Sequence, residues 1–233
     1  MSGKAIKSLK ARSIIDAIGF PALEVELQTK DGTFRASVPN VMTCESEAMH
    51  IKRDCEIKFQ GRGLEKIVQV INQKLAPGII NHVQCCSNQI DFDEYLVKLD
   101  GTLKKTELGA NVSLALSLAM LKAGAAELRL PVFEHVRNLR MCHTEPNMKA
   151  DRYVKLPVPH FDMIVGGKLG QNGLPFHSIY IVPTSADSFK HACEIGATIY
   201  HRLRLIVKER YGHQCSCVTA KGAFAPPVPD TTT

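Results

Sequence analysis

Apolar and polar residues alternate with a period of two along the opening stretch of the chain. Leu23, Val25 and Leu27 interleave with Glu24, Glu26 and Gln28, which places the apolar side chains on one face of a strand. Asp31-Gly32 follows, and glycine accepts the positive φ that a tight hairpin turn requires. Phe34, Ala36 and Val38 repeat the alternation in the returning strand, and Pro39 ends it. An earlier strand is expected over Lys7–Ile15, with Gly19-Phe20-Pro21 as the break. Together these segments predict a β-meander.

The period then changes. Leu64, Ile67, Val68 and Ile71 recur at helical spacing within Gly63–Leu75, and Pro77 is expected to stop that helix. A short helix is predicted over Phe92–Leu99, ending at Asp100-Gly101. Asn111–Glu127 is apolar around most of its circumference, which predicts a helix buried on several sides. Pro131–Leu139 predicts another short helix. The polar, mixed stretch 141–155 is expected to be a linker between an α+β domain over 1–140 and a second region over 156–226.

In that second region, LPVPHFDMIVGG (156–167) reads as a buried strand that ends in a glycine turn, with His160 as a core histidine. SIYIVPTSA, from Ser178, reads as a second strand. Ser185 or Asp187 is expected to cap the long helix that follows, since each offers a side-chain acceptor to free N–H groups. Ala192, Ile195, Ile199, Leu203 and Ile206 form its apolar stripe. Lys208 and Arg210 suit its C-terminal dipole, and Gly212 its exit. The Pro-rich residues 227–233 are expected to form a disordered tail.

Composition narrows the class. The chain has 233 residues, 45% hydrophobic and 22% charged, ordinary for a soluble globular protein of one or two domains. No apolar run approaches the roughly 18 residues that span a bilayer. The basic N-terminus has no apolar signal core, so a cytoplasmic location is expected. The net charge of +6 comes without a basic stripe interleaved with aromatics, which argues against a specific nucleic-acid partner. The eight cysteines contain no CxxC pair, and they are expected to remain free thiols rather than zinc ligands.

Several ordered runs carry a resemblance. RSIIDAIGFPALEVEL (12–27), GRGLEKIVQVINQKLAP (61–77), LDGTLKKTELGANVSLALSLA (99–119), LPVPHFDMIVGG (156–167) and GAFAP (222–226) are together similar to the enolase family, in the family's order. The resemblance implies a small α+β N-terminal domain, a β-meander plus helices, followed by an α/β (TIM-type) barrel. Residues 156–226 would supply only its start, two strands and one long helix of an incomplete barrel. It implies the family's reaction: the Mg2+-dependent, glycolytic interconversion of 2-phosphoglycerate and phosphoenolpyruvate by loss of water. A lysine base removes a proton beside a carboxylate, metal ions neutralise the enediolate, and a glutamic acid protonates the leaving hydroxide.

The resemblance also sets expectations residue by residue. The family's lid loop, whose second serine caps a metal, matches Pro39–Cys44; Thr43 keeps a hydroxyl there, while Val41 and Glu45 replace its glycines. The substrate-facing GGSHAG pattern matches Gly166–Gln171 and puts Leu169 at the histidine position. The Gln-Glu pair before the second strand matches His177-Ser178, so an acid position falls on Ser178. A second acid position falls on Lys221, a reversal of charge. The family's metal carboxylates, base lysine and phosphate-binding arginine are expected beyond Thr233. With these changes catalysis is expected to be lost or greatly reduced, and Mg2+ not to be bound.

Such a start of a barrel would expose strand edges and apolar faces, which invite pairing with other chains. A protease is expected to cut after about Leu139 and leave a resistant N-terminal piece. Two alternative roles follow: a non-catalytic partner that forms a homodimer, or a heterodimer with an active enolase, or a degenerate copy without selected function. Ala17-Ile18 replaces the family's usual Ser-Arg near its dimer contact. A new Ser/Lys or Ser/His nucleophile from His177, Ser178 and Lys221 has no supporting local motif.

Overall fold

The computed structural model describes residues 5–39, 49–144, 156–219 and 221–228. The chain divides into two units, Met1–Lys149 and Ala150–Thr233. The first is a three-stranded antiparallel meander of β1 (Ile6–Ile15), β2 (Pro21–Thr29) and β3 (Thr33–Val38), ordered β1-β2-β3. The register pairs Val25 with Ala11 and Ala36, as the alternation predicts. Leu23, Val25 and Leu27 are fully buried on the inner face, and burying each such side chain is worth about 2 kcal/mol. On the other face Arg12 pairs with Glu24 and Glu26, and Arg35 pairs with Glu26.

The helices of this unit are α1 (Glu65–Val70), α2 (Ala76–His82), α3 (Gln89–Asp100), α4 (Ala110–Glu127) and α5 (Val132–Thr144). Pro77 does not end the first helix as its sequence position suggests. A π-helical segment, Ile71–Leu75, joins α1 to α2, and the Ala76 N–H donates to the Ile71 carbonyl. The widened turn lets the chain pass Pro77, which has no N–H to give and whose ring crowds the preceding turn. The Asn88 side chain caps α3, and Gly101 leaves it at φ +67°. Helix α4 packs on β2, β3, α3 and α5; Val112, Ala115, Leu116, Ala119 and Met120 are all buried. Helix α5 runs past the expected end at Leu139, so a cut immediately after Leu139 falls inside a helix.

The second unit is built on a hairpin of β4 (Phe161–Val165) and β5 (Ser178–Ile181), paired antiparallel. Between them lies the single turn α6 (Gly167–Gly170). Strand β4 is shorter than the apolar run predicts. Pro157 and Pro159 cannot donate to a ladder, and residues 156–160 stay outside it. His160 is exposed rather than a core residue, with Nδ1 3.1 Å from the Val158 carbonyl. Helix α7 (Phe189–Tyr211) is capped by Ser188, whose Oγ accepts from the His191 N–H; neither Ser185 nor Asp187 fills that place. Its buried stripe is rotated from the expected one and centres on Ala192, Gly196 and Val207, while Ile206 is 37% exposed. A Cβ at Gly196 would sit 2.4 Å from the Phe161 ring, so this glycine sets how closely α7 approaches β4. Val218 and Phe224 form a bridge, and Phe224 also pairs parallel with Ile164.

Among the described residues, no helix is long and apolar enough to cross a membrane. The described cysteines, Cys55, Cys85, Cys86, Cys193, Cys215 and Cys217, are free thiols.

Candidate functional site

The end of β4 and the beginning of β5 lie side by side, because the strands are antiparallel and Val165 is in register with Ser178. The Gly166 N–H donates to the His177 carbonyl at 3.0 Å. A Cβ on Gly166 would meet the Phe176 carbonyl oxygen at 2.3 Å, so only glycine lets the two segments approach here. Asn172 ties the next segment in. Its Nδ2 donates to the carbonyls of Val165 and Pro226, both at 3.0 Å. The GAFAP run is held parallel to β4 by Phe224 N–H to Met163 O and Val165 N–H to Phe224 O.

Asp162, His177 and Ser178 meet at this junction. The Ser178 Oγ donates to Asp162 Oδ2 at 3.2 Å, and His177 Nδ1 lies 3.0 Å from the same Oγ. With the serine proton given to the carboxylate, the histidine Nδ1–H is the donor to the serine lone pair. Asp162 Oδ1 is buried without a hydrogen-bond partner. The order is therefore histidine to serine to aspartate. It differs from a nucleophilic triad, in which the histidine stands between serine and carboxylate and removes the serine proton.

Among the described residues, Leu169 and Lys221 make no hydrogen bond to the side chains of this cluster. Leu169 lies on α6, is 38% exposed and carries no polar atom. Lys221 sits in the exposed turn of the Val218–Phe224 bridge, where Gly222 N–H donates to Thr219 O at 2.8 Å. The structure gives Lys221 no hydrogen bond or ion pair to His177 or Ser178. Thr43 falls outside the described residues.

Asp162 and Asn172 were not among the expected site residues. Asp162 is an acid inside the apolar run FDMIV, and that interruption is its only local signal. Asn172 bonds backbone groups at both β4 and Pro226, which no spacing in the sequence shows.

The described residues do not fit a Mg2+ site. Mg2+ requires near-octahedral oxygen ligation, usually with one or two carboxylates and several waters. Asp162 is the only carboxylate in the cluster, with one oxygen engaged by Ser178 and the other buried. No group of three or more His, Cys, Asp or Glu side chains able to hold a metal occurs among the described residues.

Two family models match the chain. One, described as the enolase N-terminal domain, covers residues 6–136. The other, described as the enolase C-terminal TIM barrel domain, covers residues 153–232.

Proposed function

The chain belongs to the enolase family, and from that premise we propose that its dehydration of 2-phosphoglycerate is lost or greatly reduced. The observation that carries this reading is the engagement of Ser178. A general acid must release a proton to the leaving hydroxide near the operating pH. An aliphatic hydroxyl is a poor source of that proton, and here it is committed to Asp162 while His177 occupies the lone pair. Leu169, at the family's histidine position, has nothing to donate. Lys221 puts a cation on an exposed turn at the other acid position. A cooperative catalytic set typically loses orders of magnitude in rate when one member is removed.

Formation of phosphoenolpyruvate from 2-phosphoglycerate in Mg2+, followed by absorbance, tests the proposal. The expected rate is indistinguishable from a blank lacking protein, beside an active enolase as control. Turnover within an order of magnitude of that control would sink it. A second reading, as a non-catalytic partner of an active enolase, is favoured by the self-contained core of Met1–Lys149. Co-purification of the two chains tests it. Absence of the complex under conditions where the active enolase dimerises removes the partner role and leaves a degenerate copy.

A further inference from the structure

A cavity of about 210 Å3 lies in the first unit, lined by Ile67 and Val70 of α1, Ile71 and Leu75 of the π-helical segment, and Val112 of α4. We propose that it binds a small amphipathic carboxylate, the apolar body resting on these side chains and the carboxylate meeting the Lys52 ammonium. The site shares no residue with the Asp162, His177 and Ser178 cluster. Ile67, Ile71 and Leu75 are four residues apart and so share one helix face. Ile67, Ile71 and Val112 are buried, while Val70 is 43% exposed, so the cavity has an apolar floor and an open side. The widened π turn, a feature that often marks functional sites, contributes part of that floor. An apolar cavity of roughly 150 Å3 admits a benzene ring. This one has room for a single ring or a short alkyl chain, with a polar head at the rim.

The polar wall is already in place. Asn111, 1% exposed, holds both backbone groups of Lys52: its Oδ1 accepts from the Lys52 N–H at 3.0 Å, and its Nδ2 donates to the Lys52 carbonyl at 3.1 Å. The Asp54 N–H donates to the Gly63 carbonyl at 2.9 Å. A ligand therefore orders little on entry, which lowers the cost of binding. Charge selects the head group. The rim holds Lys52, Arg53 and Lys66 against Asp54 and Glu107. The two Asp54 oxygens accept from the Lys66 and Ile67 N–H groups at the start of α1, at 3.1 and 3.4 Å. Lys66 is matched by Glu56 at 2.6 Å. Lys52 and Arg53 then face only Glu107, a surplus of positive charge. The Lys52 ammonium donates to the Thr106 carbonyl at 2.9 Å, a neutral acceptor that leaves it two further protons to give. A carboxylate gains a charge-assisted hydrogen bond there, which an alcohol gains only in weaker form and an amine not at all.

The test is titration of the whole 233-residue chain with octanoate, octanol and octylamine, each below its micelle concentration, followed by amide chemical shifts in NMR. Octanoate is expected to shift the amides of residues 67–75 saturably. Octanol should act at the same place about threefold more weakly, and octylamine should leave these amides unmoved. Val70→Glu sets a carboxylate on the open side and should weaken octanoate by about tenfold or more. Lys52→Gln should lower octanoate to the affinity of octanol and leave octanol unchanged, a pattern that mere loss of structure would not give. Circular dichroism checks that each variant keeps its helices. Octanoate that causes no saturable shift, or shifts amides elsewhere, overturns the proposal. So does octylamine that binds as well as octanoate, or a preference for octanoate over octanol that survives Lys52→Gln.

Discussion

The two units bury their apolar residues to different degrees. In Met1–Lys149 the sheet, α1, α2, α3 and α4 converge on one cluster that includes Leu23, Ile71, Ile79, Leu116 and Met120, each at most 1% exposed. In Ala150–Thr233 a few residues, chiefly Met163, Val165, Ala192 and Phe224, are buried around the hairpin. Ile179, Tyr180 and Leu205 remain 43%, 48% and 54% exposed. The Asp162, His177 and Ser178 cluster lies in this second unit. Under the proposed reading, an intact N-terminal core would stand beside site positions held by a leucine, a committed serine and an exposed lysine.

Substitutions that empty the first core should show the contrast most strongly. Leu116→Ala is expected to cost about 3 kcal/mol, read as a lower urea midpoint for the loss of α4 helicity. Leu205→Ala, on an exposed face of α7, should change the unfolding free energy by less than about 0.5 kcal/mol. Equal effects would break the comparison. Within the second unit, Gly196→Ala pushes a methyl into the Phe161 ring and should cost about 1–3 kcal/mol, as overpacking does. Its effect should be confined to resonances of β4 and α7.

Acid should act on the first unit through His135. This side chain is 2% exposed, its Nε2 has no hydrogen-bond partner, and burial holds its pKa below the ordinary histidine value. The unfolded state therefore binds a proton that the folded state refuses. Stability is full above the unfolded value near 6.5 and falls as pH drops below it, levelling only once the folded value is passed. His135→Phe should flatten that stretch of the stability curve. An unchanged slope would show that another group is responsible.

Thiol labelling gives a gentler probe. Burial first, and the nearby Glu127 charge second, push the Cys86 thiol up to about 12. At mildly alkaline pH the exposed Cys85 should react with an alkylating reagent, while Cys86 reacts only on unfolding. The smallest effect belongs to the outer face of the sheet. Hydrogen bonds from Arg35 and then Arg12 hold the Glu26 carboxyl below its ordinary value, but the site is open to water and salt. Glu26→Gln should leave the melting temperature nearly unchanged, and less changed still at high salt.

How far the sequence reveals this molecule depends on the range of the forces involved. The meander was legible because its alternation and the Asp31-Gly32 turn are local. The end of the first helix was not: Pro77 is a strong stop signal, yet a π-helical turn absorbs it. The α7 cap moved to Ser188, since several residues near the start offer an acceptor and only the fold decides which is extended there. The family motifs pointed to His177 and Ser178. Asp162 escaped notice because its partner lies 16 residues away and is brought back only by the hairpin. Lys221 stands exposed, since a polar residue in a glycine-containing turn needs no distant partner.

The most direct test is conversion of 2-phosphoglycerate over a long incubation, followed by phosphorus NMR on chain freed of host enolase. Slow turnover accumulates in this measurement, so a severe loss of rate is distinguished from complete loss. The account predicts conversion at most a small fraction of that given by an equal amount of active enolase. Phosphoenolpyruvate that accumulates at a rate within an order of magnitude of that control, and follows the chain through successive chromatographic steps, would contradict it.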